Sequence, residues 1–536
     1  IDGRIDGGQQ MRRYLIMTGA ALSSAILYFL PFHRPGLFFL SFLALLPVLF
    51  ILPVLKGRES FLVGMLMGNV IFWGIGSWLL GPMLEFGGVP LPLAILALEA
   101  AFLFLSIYYG IILYLLHYLT GKGISLALAA PLTWASGEFL RSFFTFKFPF
   151  GFWGYALAYH PHLIQPASFV GVFGVSALIV LANVGLFYLA SALFPISIPA
   201  AVYDDDRERK PKPGMTFRGR LPGSILILLL VITIFFIPQL GMGRDTIRSL
   251  RAGEDVLRLG LIQNNVPQWK KWDYHYRDEI LQNTISLSKE VAAYEPDLII
   301  WPESSLPFDL VQNSVYARKL RLGWQGMDSW LLAGSLAHGG SGGAIYNSMF
   351  LLDRTGKVAQ RYNKLSLVPF GEYNPLPILQ RFIQINLEDL QPGNRAVSFT
   401  YQGWQWRTPI CYEVLEAGLT RRLAEGVDFL ITTSNEAWYG KSSVPSQMLA
   451  ATIFRAVENG IPVVRVANTS SSAVVDARGR IRRLLPAYQA AAEYYPFALP
   501  RRETFYQNHG MLAGYILLSF PLLLLVTARL RKIQES

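Results

Sequence analysis

The chain has 536 residues, 52% hydrophobic and 15% charged, with a formal net charge of +11 at pH 7. Soluble domains carry roughly a quarter charged residues, so this deficit argues against a wholly soluble protein and for contact with lipid. In so apolar a chain the basic excess is expected to set membrane orientation. A nucleic-acid role is set aside, because the basic residues gather at the edges of apolar runs and not on one domain face.

The first ten residues, "IDGRIDGGQQ", read as a protease-site and linker remnant of recombinant expression, with Met11 as the natural start. From there to residue 244 seven apolar runs follow, at about 14–31, 36–55, 60–81, 91–118, 123–144, 166–194 and 223–242. Each is near the ~20 residues a helix needs to cross a bilayer. An eighth, "MLAGYILLSFPLLLLVTA", stands at 511–528, within a last segment taken as 509–536. The fifth run carries Glu138 and Arg141, spaced to pair on one helical face as a structural ion pair or to serve a function. The aromatic run "FFTFKFPFGFWGYALAY" at 143–159 reads as an ordinary aromatic belt or as a platform for lipid. Arg12, Arg13, Lys56, Arg58, Lys122, the linker "DDDRERKPKPGMTFRGR" and Arg529, Arg531 and Lys532 lie on one side. The alternate loops hold few basic residues, so both termini are expected in the cytoplasm and the segment between spans seven and eight outside it.

That outer segment, about 255–505, changes character. Short strand-like runs recur ("VLRLGLIQ", "DLIIWPES", "WLLAGSL", "YNSMFLLD", "DFLITTSN", "PVVRVAN"), with helical patterns between several of them. Strands alternating with helices predict an α/β domain. Cys411 is the chain's single cysteine, so it pairs with no second thiol, and a sparing use of cysteine suits an oxidising compartment. It follows the strand-like "WQWRTPI" and precedes "YEVLEAGLTRRLAEG", which reads as one helix closed by Gly426. A thiol there is either a buried small hydrophobe or a nucleophile at a helix N-terminus. Glu303, after "DLIIW", and Lys364, in "RYNKLSLVPFGEY", also stand at strand ends, where α/β domains assemble sites from distant sequence. A carboxylate to take the thiol proton and an ammonium to hold an oxyanion would complete the means to make and break a thioester. The histidines are scattered: His160 and His162 flank Pro161, and His275 sits on a helical pattern. They read as non-catalytic, and no cluster suggests a metal.

"WPESSLP", "YNKLSLVPFGEYNPLP", "CYE" and "NEAWYG", in this order and spacing, resemble the nitrilase (carbon–nitrogen hydrolase) superfamily with its Glu–Lys–Cys triad. Seven spans before such a domain and one after it look like the apolipoprotein N-acyltransferase family within it. The resemblance implies eight transmembrane helices plus an extracytoplasmic αββα sandwich. It implies Glu303 as general base, Lys364 as oxyanion stabiliser and Cys411 as nucleophile. Glu372 and Glu413 match its supporting acidic positions, although Glu413 also reads as a first-turn glutamate complementing a helix dipole. Tyr412 would contribute its backbone N–H or its ring. Trp272 matches a tryptophan near the lipid path, while from the residues alone Trp269 and Trp272 are interfacial anchors. Trp438 and Tyr439 line a pocket or pack in the core. Glu436 departs from the family's aspartate. The implied reaction takes an acyl chain from a phospholipid to the diacylglyceryl-cysteine amine of an apolipoprotein. It needs no cofactor or metal and runs in a monomer of the bacterial inner membrane, with the catalytic domain periplasmic. A membrane-anchored amidase that hydrolyses an amide or ester is the alternative.

Overall fold

In the computed structural model the described residues are 7–143, 147–194, 221–240, 256–339, 343–375, 390–498, 500–510 and 512–534. The charged linker expected at 203–222 lies outside them except for its last two residues, as do residues 144–146 of the aromatic run. Two compact units divide the chain: one drawn from 1–80, 90–242 and 511–536, the other from 81–89 and 243–510.

The first unit is helical. It contains α1 (Gly7–His33), α2 (Leu46–Ile51), α3 (Gly57–Gly76), α5 (Leu91–Gly121), α6 (Leu126–Phe143), α7 (Ala167–Leu193), α8 (Leu221–Leu240) and α15 (Leu512–Gln534), while the short α4 (Leu80–Glu85) leads into the second unit. Among the described residues five helical stretches are long and apolar enough to cross a membrane: Gly8–His33, Pro35–Val54, Gly57–Glu85, Leu91–Gly121 and Ala167–Leu193. Leu221–Ile237 and Gly514–Thr527 are shorter apolar helices, and α6, with Glu138 and Arg141, is not among the five.

The second expected span is not one helix. It is a 3-10 helix (Pro35–Phe42), then α2, then a 3-10 turn (Leu52–Val54), and each piece has a proline in its first two positions. Proline cannot donate the main-chain bond that would carry one piece into the next. Asn183 on α7 repairs the break: its Nδ2 donates to the Ser41 carbonyl at 2.9 Å, and its Oδ1 accepts from the Leu45 N–H at 2.9 Å. Without water, freed main-chain groups must find such partners inside the protein.

Glu138 and Arg141 do not pair as expected. Glu138 Oε1 accepts from the Trp153 N–H (2.8 Å), Trp134 Nε1 (3.2 Å) and the Tyr28 hydroxyl (3.3 Å). Arg141 Nη1 donates to the carbonyls of Phe148 and Phe150 at 3.1 and 2.8 Å, and its guanidinium lies over the Phe152 ring. Both side chains therefore bind the aromatic run, where Phe150, Phe152, Trp153 and Tyr155 are buried. Phe143 at the start of that run is exposed, whereas from Phe150 to Ala158 the run is interior packing. It folds inward because a carboxylate and a guanidinium at depth supply the partners its turn of backbone needs.

The second unit is α/β. Its strands are β1 (Leu257–Gln263), β2 (Leu298–Ile300), β3 (Trp330–Gly339), β4 (Ala344–Leu352), β5 (Val358–Asn363), β6 (Phe399–Tyr401), β7 (Trp404–Arg407), β8 (Phe429–Ser434), β9 (Val463–Ala467), β10 (Ala473–Val475), β11 (Ile481–Leu484) and β12 (Ala491–Phe497). They form two six-stranded sheets, ordered β12-β1-β2-β3-β4-β5 and β11-β10-β9-β8-β7-β6. β1, β2 and β3 run parallel, as do β7, β8 and β9, and antiparallel strands flank each trio. The remaining helices are α9 (Gln268–Lys271), α10 (Arg277–Ala292), α11 (Ser314–Trp324), α12 (Ala417–Ala424), α13 (Val444–Asn459) and α14 (Phe505–His509).

The sheets face each other: the Thr433 hydroxyl on β8 meets Met349 Sδ on β4 at 3.3 Å. Leu281 and Ile285 of α10 and Leu320 and Trp324 of α11 bury against Ile299, Leu331 and Phe350 of the first sheet. α12 and α13 cover the second. The layers are thus helix, sheet, sheet, helix. α13 starts with Pro445 in its first turn and ends at Gly460, whose φ of +63 favours glycine. Buried parallel strands read as continuous apolar runs, which is why β1, β2, β8 and β9 stand out in the sequence.

Asn183→Leu keeps the size of the side chain and strips both partners from the broken second span. We expect it to cost about 2 kcal/mol of stability, read as a lower melting temperature in detergent.

Candidate active site

Three strand ends deliver the site. Glu303 follows β2, Lys364 follows β5, and Cys411 lies beyond β7, where Ile410 still bridges Thr433 of β8. Two of these are exits from parallel strands, where main-chain pairing stops and side chains can converge. The backbone there is unusual. Ser304, beside Glu303, has φ +49 and Cys411 itself φ +50, a region L-residues enter at a cost. Gly334 on β3 makes room for the first of these turns, since a Cβ there would stand 2.4 Å from the Ser304 nitrogen.

The sequence predicted one helix behind Cys411. Instead a 3-10 turn, Cys411–Leu415, is followed by an extended Glu416 and then α12. Glu413 explains the break. Its Oε2 accepts from the Ile410 N–H at 2.6 Å, and its Oε1 accepts from the N–H groups of Leu365 (2.6 Å) and Ser366 (3.1 Å). The Tyr362 hydroxyl donates to the same carboxylate at 2.9 Å. One side chain thus ties the Cys411 turn to the segment just after Lys364, a stronger reason for its presence than a helix dipole.

Lys364 is buried and lies 2.8 Å from Glu372 and 3.5 Å from Glu303. Asn347 Nδ2 on β4 donates to both carboxylates, at 2.7 Å to Glu303 and 2.8 Å to Glu372. Glu372 is anchored by the Val368 N–H at 2.8 Å, and Glu303 by the Asn435 N–H at 2.7 Å. Carboxylates satisfied in this way, Glu303 buried and Glu372 half-buried, present fixed lone pairs.

Electrostatics follow from burial. Desolvation alone would lower the Lys364 pKa, but Glu372, Glu303 and Cys411 outweigh it and raise it, so the residue stays an ammonium. Burial pushes the Cys411 thiol well above its ordinary value; Glu303 adds to this, and Lys364 pulls the other way. The resting sulfur is therefore a thiol that needs a base, with a carboxylate and an ammonium both acting on it. Burial also pushes Glu413 up, to about 7, against the main-chain donors and Lys364.

Residues 24–185 match the apolipoprotein N-acyltransferase N-terminal domain, and residues 258–490 match carbon-nitrogen hydrolase. The apolipoprotein N-acyltransferase of Geobacter metallireducens is 32% identical over 91% of this chain and 91% of its own. The chain belongs to the apolipoprotein N-acyltransferase family. It is therefore an enzyme of the carbon–nitrogen hydrolase superfamily. The enzyme of that name from Brucella melitensis biotype 1 is 30% identical over 76% of this chain and 73% of its own. An amidase of known structure from Nesterenkonia sp. aligns with 48% of this chain and 95% of its own, at 18% identity and a TM-score of 0.36.

Within this family member the other predicted residues divide. For the half-buried Tyr439, burial raises the hydroxyl pKa, and Cys411, Lys364, Glu303 and Glu372 are the groups that act on it. Tyr412 is buried, and Glu416, Tyr373 and Tyr439 act on its ring hydroxyl. Trp438 is half-buried and packs edge-on against Phe86, with ring centroids 4.7 Å apart. Trp272 is 37% exposed and Trp269 66% exposed. Glu436, which departs from the usual aspartate, is buried against Arg465 and Ser434, so its longer arm serves an internal ion pair.

Sequence reasoning missed Asn347, Asn435 and Lys271. Asn347 lies in "YNSMFLLD", where a lone amide in an apolar strand was the available signal. Lys271 is fully buried beside the exposed Trp272, its Nζ 3.3 Å from the Glu303 carbonyl, and nothing in "QWKKWDY" separates it from Lys270.

Two outcomes are expected. Glu413→Gln turns an NH2 group toward at least one main-chain N–H whichever way the amide faces. It should lower stability by about 1–3 kcal/mol and depress activity, checked by thermal melting and turnover. Alkylation of Cys411 by iodoacetamide should be slower than that of a free thiol at about pH 8 and still be rising above about pH 9, read by intact mass.

Proposed function

We propose that this protein moves an acyl chain from a phospholipid to the α-amine of the N-terminal diacylglyceryl-cysteine of an apolipoprotein, through a thioester on Cys411. The observation that carries the reading is a buried carboxylate, Glu303, 3.5 Å from a buried ammonium, Lys364, with both acting on the chain's one thiol. Family membership supplies the substrate class.

In the first half-reaction Glu303 takes the thiol proton and the sulfur attacks the ester carbonyl. The tetrahedral oxyanion rests against Lys364 and a main-chain N–H, that of Tyr412 being the nearest in sequence. Collapse breaks the carbon–oxygen bond, and the departing lysophospholipid oxygen takes the proton back from Glu303. In the second, the lipoprotein amine attacks the thioester and gives a proton to Glu303. The carbon–sulfur bond breaks, and the thiolate regains that proton. The enzyme returns unchanged, by a ping-pong route.

Glu372 and Glu413 support the triad; Trp272, Trp438 and Tyr439 contact substrate. The helical unit makes eight crossings of the bacterial inner membrane, with both termini cytoplasmic, the catalytic unit periplasmic, and the protein a monomer. Its purpose is energetic, because each methylene of an acyl chain costs about 0.8 kcal/mol to bring into water. Substrates that never leave the bilayer avoid that cost.

The purified enzyme mixed with phospholipid alone is expected to gain the mass of one acyl chain, released by hydroxylamine and absent in Cys411→Ala. An equal gain in the Ala variant, or none in the wild type, would overturn the reading. Adding an amine-bearing lipopeptide should then give acyl-peptide, whereas free fatty acid alone would identify a hydrolase.

A further inference from the structure

The reaction just described leaves the buried amine of Lys271 unused. α9 reads Gln-Trp-Lys-Lys: Lys270 pairs with Glu279, and Lys271 turns inward with none of its surface exposed. Among the described residues its Nζ has one hydrogen bond, to the main-chain oxygen of Glu303 at 3.3 Å. A buried lysine with so little coordination is costly, and burial brings its pKa from 10.5 down to about 7. The amine lies at the Glu303 turn, and the charges that oppose this fall are Glu303 and Cys411.

The charge balance around the sulfur gives this amine a task. Glu303, Lys364, Glu436 and Glu372 act on the thiol. Glu436 is neutralised by Arg465, which leaves two carboxylates facing the single ammonium of Lys364. Ionising the sulfur with the proton retained on Glu303, and then forming an oxyanion, keeps the site one negative charge in excess. A second cation within reach would remove it.

We propose that Lys271 supplies that second positive charge: it tethers the Glu303 turn by its main-chain oxygen and favours the thiolate of Cys411 over the thiol. It is a positioning residue, acting through Cys411 and not on the substrate. The inference rests on Cys411 being the nucleophile. The groups that face Lys271 are Glu303 and Cys411, and around that pair stand Lys364, Glu372, Glu436 and Tyr439. Below about pH 7 the amine holds its proton, so the second positive charge is in place when the sulfur ionises there.

Because Cys411 is the chain's only cysteine, alkylation reports on it alone. The test compares wild type, Lys271→Met and Lys271→Gln by iodoacetamide labelling across pH, with thermal unfolding alongside. Gln keeps a donor for the Glu303 oxygen and loses the charge. Both variants should label about tenfold more slowly at about pH 6, where Lys271 carries its charge, equivalent to a thiol pKa about one unit higher, and the difference should close above about pH 9, where the amine is neutral. Lys271→Met should also melt no lower than wild type at pH 6. The sign follows from linkage: the folded pKa lies below the unfolded one, so burying the ammonium costs stability in full below about pH 7, and the cost fades as pH rises towards 10.5. A Gln variant that labels like wild type would overturn the proposal and leave Lys271 a tether, and so would loss of folding in both variants. Failure of the parent reading looks different: wild type would then gain no hydroxylamine-labile acyl mass, whatever residue 271 is.

Discussion

The site depends on an unequal sharing of one buried ammonium. Lys364 sits 2.8 Å from Glu372 and 3.5 Å from Glu303. In a low-dielectric interior an ammonium without a carboxylate partner loses its proton, so some carboxylate must stay with it. Glu372 takes that part. Glu303 is then oriented mainly by the neutral donors Asn347 and the Asn435 N–H. The nearer carboxylate is committed to the ammonium, and the farther one is held in an orientation set by two neutral donors.

Holding this geometry requires backbone that the local sequence does not favour. Ser304 and Cys411 occupy the left-handed region, and the chain stays there because its surroundings over-determine it. Glu413 binds the Cys411 turn to the Lys364 segment, and Gly334 lets β3 approach the Glu303 turn. The Glu303 turn is thus packed against a distant strand, and the Cys411 and Lys364 segments are held to each other across a long stretch of chain. Such contacts join strand ends from both sheets, and the stiffness of the two sheets reaches the side chains that need it.

Part of this was legible in the sequence. Apolar β-branched runs marked β1, β2, β8 and β9, and the residues just past them proved to be where Glu303 and Asn435 lie. Hydrophobic pattern reports that a segment is buried, but it does not say which polar residue inside it turns toward a site. Asn347 and Lys271 escaped for that reason. Pattern also overstated regularity: the second apolar run is broken by prolines that Asn183 repairs from another helix, and the segment behind Cys411 is broken by Glu413. In both cases a hydrogen bond to a segment remote in sequence (Asn183 to Ser41 and Leu45, Glu413 to Leu365 and Ser366) overrides local propensity, which a one-dimensional reading cannot register. The aromatic run misled differently, because aromatic residues suit an interface and an interior equally well until Arg141 and Glu138 draw them in.

Burying so many charges has a consequence for where function can sit. Lys271, Glu303, Lys364, Glu372, Glu413, Glu436 and Arg465 would each cost several kcal/mol to desolvate alone, and most are reimbursed by close partners. Glu436 has Arg465, Lys364 has Glu372, and Glu413 has three main-chain donors and a tyrosine. Lys271 has one long hydrogen bond. A well-paired charge is committed to its partners and orients others, whereas a poorly paired one responds to charge that appears nearby. Thin coordination, a defect by the standard of stability, is therefore the property that suits a residue to a reaction in which negative charge comes and goes.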